Sequence, residues 1–132
     1  MKKLDLKRKE IKNKLSLAKV YLSSAENSLK AGDFRLATDA GYNALELAMK
    51  SGILIQKDSF PKRHGGLAQL FSLLYIKEGP LNSSYGGTIG KALELRNKAR
   101  YDEEAKITKI HAKENIKLAK AIIKAMGKII YG

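Results

Sequence analysis

Between residues 4 and 30 the apolar side chains Leu4, Ile11, Leu15, Ala18, Leu22, Ala25 and Leu29 recur at intervals of three, four and seven. That spacing sets them in one narrow stripe and predicts a long amphipathic α-helix. Leu6, Leu17 and Val20 gather on nearly the opposite face, where a four-helix monomer leaves them in water and a dimer would cover them. Ala31-Gly32-Asp33 then supplies a C′ glycine to stop this helix and an aspartate N-cap to start the next, so the two should pack antiparallel. From residue 34 to 50 apolar and small residues cover most of the circumference and confine Arg35, Asp39, Asn43, Glu46 and Lys50 to a narrow polar strip. This second helix should be the most buried.

Gly52 and Pro61 bracket a connection, and a third helix is predicted over 67–77, ending at Gly79-Pro80. After the loop NSSYGG a fourth helix runs over 88–100. The acidic turn Asp102-Glu103-Glu104 leads to a fifth over 107–130, with Ile110, Leu118, Ala121, Ile122, Ala125 and Ile129 facing inward. Nothing alternates with period two, so no strand is expected. The fold class is all-α: an up-and-down four-helix bundle with an additional short helix, formed as one domain over residues 1–132.

Composition narrows the function. Hydrophobic residues at 44% and charged residues at 30% describe an ordinary soluble chain. The absence of cysteine excludes disulfides, thiolate metal sites and a cysteine nucleophile, and two histidines make a structural metal or a metal cofactor unexpected. No apolar run approaches the roughly 18–20 residues that span a bilayer, so no membrane role and a cytoplasmic location are expected. The net charge of +13 on 132 residues attracts polyanions, although lysine-rich surfaces also accompany heat adaptation.

On the fourth helix Arg96 falls near the middle of the apolar arc of Ile89, Ala92, Leu93, Leu95 and Ala99, with Arg100 at its edge. A buried guanidinium must meet an acid, backbone carbonyls or an anion. Either Arg96 forms an internal pair with Glu46, Asp39 or Glu26, or it lines a polar cleft. His64 stands in PKRHGG, where Lys62, Arg63 and a helix start are candidates to hold a phosphate. His111 has no acidic or imidazole neighbour at ligand spacing and reads as a surface residue. Lys109, Lys113, Lys117, Lys120, Lys124 and Lys128 share one face of the last helix, a stripe of about 28 Å that could track phosphates. The first helix is basic too, through Lys2, Lys3, Lys7, Arg8, Lys9, Lys12 and Lys14. No phosphate-binding loop, dinucleotide fingerprint or zinc-protease motif occurs, and Glu103-Glu104 does not form a paired-carboxylate site.

The order SAENSLKAGDFRLATDAGYNALELAMKSGIL, KRHGGLAQLF, ALELRNKARYD resembles the HEPN domain (higher eukaryotes and prokaryotes nucleotide-binding), in the small stand-alone branch found beside minimal nucleotidyltransferases. The resemblance implies a homodimer with the motif arginine facing a cleft between subunits. Many relatives are metal-independent endoribonucleases, some acting as toxins restrained by the nucleotidyltransferase, and their signature pairs an arginine with a histidine four to six residues on. Arg96 and Asn97 match its first part, whereas the histidine window holds Tyr101, Asp102 and Glu103. The expected function is therefore a nucleotide- or RNA-binding subunit using Arg96, Asn97, Arg100 and Tyr101 together with Lys62, Arg63 and His64. The alternative is an endoribonuclease in which His64, Tyr101 or Asp102 replaces the missing histidine beside Arg96.

Overall fold

A computed structural model describes the backbone of residues 2–132 and the side chains of residues 3–132, so the Lys2 side chain counted with the basic first helix lies outside the described residues. Five α-helices follow one another: α1 Lys2–Lys30, α2 Phe34–Gln56, α3 His64–Ser72, α4 Tyr85–Tyr101 and α5 Lys109–Tyr131, with a π-helical turn Leu73–Lys77 extending α3. Among the described residues there is no strand. Gly32 turns the chain between α1 and α2 at φ +82°, a conformation that glycine adopts without Cβ strain. Asp33 holds the N-cap position of α2 but its side chain makes no capping bond.

α2 packs against all four other helices. More than half of its residues are buried, as its near-continuous apolar surface predicts. Helix directions follow from cross-contacts. Lys120 meets Glu26 and Lys12 lies over the Tyr131 ring, so α1 and α5 run antiparallel. Asp39 meets Arg96 while Arg35 meets Ala99, so α2 and α4 are antiparallel too. α1, α2, α4 and α5 thus form the expected up-and-down bundle, and α3 is the additional short helix. The core joins Leu15, Tyr42, Leu45, Met49, Ile53, Phe71, Ile89, Ile122 and Met126. Small residues set the spacing: a Cβ on Gly52 would stand 2.6 Å from Met126 Sδ and 3.1 Å from Phe71 Cε1. Asn115, 1% exposed, donates from Nδ2 to Thr38 O and to Ala92 O, each at 3.2 Å, and so ties α5 to α2 and α4.

Several expectations are corrected. α3 starts at His64, three residues earlier than the apolar pattern suggests, and α4 begins at Tyr85. Leu4 is exposed near the start of α1, whereas Ile11, Leu15, Ala18 and Ala25 are buried. Ile110 is 67% exposed and Ile129 42% exposed. α5 instead turns Ala112, Asn115, Ile116, Leu118, Ala119, Ile122, Ile123 and Met126 inward. The polar Asn115 centres the buried face, which an apolar-only stripe could not locate. His111 is not a free surface residue: its Nδ1 accepts from the Thr108 backbone N–H at 3.2 Å, and Thr108 Oγ1 accepts from His111 N–H, closing a capping box at the start of α5.

Candidate functional site

The polar strip of α2 does not face water. It forms the floor beneath α4 and the start of α3. Arg35 donates to the carbonyls of Lys98 at 3.3 Å, Ala99 at 3.0 Å, Glu103 at 3.3 Å and also Ala105. It thereby meets the Ala99 carbonyl in the last turn of α4, adds to the backbone bond that Lys98 already receives, and ties the following turn through Glu103 and Ala105. One turn along, Asp39 meets Arg96 Nε at 3.3 Å through Oδ1 and Arg100 Nη1 at 3.4 Å through Oδ2. Two turns beyond Asp39, Glu46 binds His64 Nδ1 through Oε2 and stands 3.6 Å from Lys50 Nζ through Oε1.

Arg96 is 5% exposed, as its place on the apolar arc requires. Its partner is Asp39 and not Glu46 or Glu26, which are engaged by His64 and by Lys120. The Nε and Oδ1 atoms face each other without hydrogen-bond alignment, and Arg96 Nη1 donates to Asn97 Oδ1 at 3.0 Å. The Tyr101 ring, 69% exposed, lies 5.7 Å from the Arg96 guanidinium carbon and 5.8 Å from that of Arg100. One ring thus serves two cations.

Arg96, Asn97 and Tyr101, but not Arg100, open onto a cavity of about 830 Å³ lined also by His64, Glu94, Lys98, Asp102, Glu103 and Glu104. The structure therefore brings His64 to the RNKARYD segment, from more than thirty positions away in the chain. It does not bring Lys62 or Arg63, which are exposed outside the cavity lining. The His64 ring is turned to a carboxylate, so the helix start is not shaped as an anion cradle. Asp102 lines the same cavity, at the point where the backbone leaves the helix at φ −100°, ψ 98°. Its Oδ1 accepts from the N–H groups of Glu104 and Ala105. Four carboxylates on the rim make the cavity mixed in charge. Among the described residues no cluster of His, Cys, Asp and Glu is arranged to hold a metal ion.

Beneath the cavity Tyr42 is fully buried, its ring edge-on to His64 at 6.4 Å between centroids, and its hydroxyl has no hydrogen-bond partner. Burial pushes this phenol up from the ordinary tyrosine range, and the Glu46 carboxylate adds to the rise while Arg96 opposes it. Sequence reasoning missed Tyr42 and Arg35, and weighed Asp39 and Glu46 only as possible partners for Arg96. The available signal was the strip itself: polar residues repeating every three or four positions on an otherwise apolar helix.

The family model described as "HEPN domain" matches residues 11–129. A Methanocaldococcus jannaschii protein named "Putative toxin MJ0605" is 33% identical over 94 residues, covering 71% of this chain and 69% of that one. A second from the same organism, "Putative toxin MJ0142", is 26% identical over 105 residues, covering 80% of this chain and 71% of that one. With its helix order, its α2–α4 cleft and a family match over nearly the whole chain, this protein belongs to the HEPN domain family.

Proposed function

We propose that the chain is the HEPN subunit of a toxin–antitoxin-type pair, a homodimer that binds nucleotide or RNA phosphate at the α2–α4 cleft, with a minimal nucleotidyltransferase as its partner. The relatives named as toxins support the system type. The observation that carries the site is the convergence of His64 with Arg96, Asn97 and Tyr101 on one open cavity. Tyr101 offers a ring face for stacking or a phenol for hydrogen bonding. Asp39 already answers Arg96 and Arg100, so a phosphate enters by competing with that carboxylate.

The test is titration of a fluorescent nucleoside monophosphate. Arg96→Ala should weaken binding by about 1.5–3 kcal/mol, the worth of a charge-assisted hydrogen bond, and Arg96→Lys should recover little because an ammonium cannot reproduce the guanidinium fork. Unchanged affinity in both variants, with the fold intact, defeats the reading.

The His64–Glu46 pair favours one second reading, the metal-independent endoribonuclease. With Nδ1 engaged by Glu46, Nε2 is the nitrogen left to act as a base. In such a step Nε2 takes the proton of an RNA 2′-hydroxyl, the 2′-oxygen attacks phosphorus, and the P–O5′ bond breaks as the 5′-oxygen takes a proton from solvent water. The products are a 2′,3′-cyclic phosphate, a 5′-hydroxyl and protonated His64, which returns its proton to the hydroxide left in solvent. Of the three replacements for the missing histidine, His64 has the orienting carboxylate that Tyr101 and Asp102 lack. RNA cleavage in chelator that disappears in His64→Ala and Glu46→Gln would establish this reading; intact RNA at high protein concentration leaves the binding reading alone.

A further inference from the structure

The lysines of α5 form a second charged surface, remote in character from the cleft. Lys109, Lys113, Lys117, Lys120, Lys124 and Lys128 are all exposed. Among the described residues only Lys120 meets a carboxylate, Glu26 of α1 at 3.3 Å. Glu114, the acid of α5 itself, is turned aside to Lys91 of α4. The stripe ends on a ring: Tyr131, 58% exposed, follows Lys124 by seven residues and Lys128 by three, which places it on the same helix face. From the neighbouring α1, Lys12 Nζ lies 5.3 Å and Lys19 Nζ 6.0 Å from its centroid. A row of cations about 28 Å long at about 1.5 Å per residue therefore runs into a tyrosine ring that Lys12 and Lys19 of α1 lie over and that keeps more than half of its surface open to solvent.

We propose that this α1–α5 face binds single-stranded nucleic acid, with the lysine row following the phosphates and Tyr131 stacking on a base. The lysines recur every three or four residues, so each successive turn presents one charge along a straight track. A polyanion with regularly spaced charges fits that track. The ring favours a nucleic acid among polyanions: every base has a π-face and stacking on it is sequence-tolerant, so a base can take the open side of Tyr131 while the lysines hold phosphates.

The experiment is fluorescence anisotropy of a labelled 15-nucleotide oligouridylate with the full chain over a range of salt. Six neutralised phosphates predict a slope of log affinity against log salt of about −4, at about −0.7 per contact. The triple variant Lys113→Gln, Lys117→Gln, Lys124→Gln should make the slope shallower by about 2. Tyr131→Ala should weaken binding about tenfold without changing the slope, and Tyr131→Phe should not. The triple variant should bind a nucleoside monophosphate like the parent chain, which separates this surface from the cleft. An unchanged slope in the triple variant overturns the proposal. So does polyglutamate displacing the oligonucleotide at equal charge concentration, which would mark the face as one for an acidic protein. Circular dichroism of each variant checks that the fold is kept.

Discussion

Positive charge is handled in opposite ways on the two faces of this bundle. At the α2–α4 cleft each arginine is answered: Arg35 by four carbonyls, Arg96 and Arg100 by Asp39. On α5 five of the six lysines meet no carboxylate among the described residues. Six of the thirteen acids stand in or around the cleft, namely Asp39, Glu46, Glu94, Asp102, Glu103 and Glu104, so the excess of +13 is displaced onto the α1–α5 side. Paired charges in a low-dielectric setting fix geometry, whereas unpaired charges in water project a field. The cleft is thus built for orientation and the α5 face for attraction.

The sharpest way to break this contrast is to remove one side of the cleft pairing. Asp39→Ala leaves a buried guanidinium uncompensated and should cost about 2–4 kcal/mol in denaturant unfolding, somewhat below a fully buried pair because Asp39 is partly exposed. Replacing Arg96 by Leu in the same chain should restore most of the loss, and a double-mutant cycle measures the coupling.

A smaller effect concerns alkaline pH. The phenols of Tyr42 and Tyr75 are raised by burial, so the folded state holds protons that the unfolded chain gives up near pH 10. Their contribution is fully present below about pH 10 and is lost above it, at up to about 1.4 kcal/mol per pH unit for each group. Tyr42→Phe should flatten that decline in stability-versus-pH curves. At neutral pH it should be neutral or stabilising by under about 1 kcal/mol, because it removes a hydroxyl that has no partner.

The smallest effect lies on the other face. Lys117→Gln should change unfolding free energy by less than about 0.5 kcal/mol, as for most surface substitutions. Added salt should stabilise the parent chain slightly more than the triple-lysine variant, by screening repulsion along α5.

Periodicity revealed the helices and the burial of α2, because a continuous apolar circumference has one physical meaning. It found Leu118 and Ile122 on the inward face of α5 but not Asn115, whose buried amide bonds to the Thr38 and Ala92 carbonyls where the rule looks for an apolar side chain. The resemblance and the misplaced charge both pointed to Arg96. His64 is grouped with it as one candidate among several, but that His64 and not Lys62 or Arg63 reaches the same cavity depends on how α3 returns over α2. Asp102 is a candidate from its place in the histidine window, and it reaches the cavity because the helix ends there.

The polar strip of α2 has one further consequence. Arg35, Asp39 and Glu46 hold, in turn, the end of α4, its two arginines and the histidine of α3, so the cleft is written in the phase of a single helix. Inserting one residue between Asp39 and Glu46 would rotate one anchor by about 100° relative to the others. The composition and helix content would barely change, yet Arg96 and His64 could no longer be held together. For this fold an insertion in α2 is a harsher change than almost any substitution on the cavity rim.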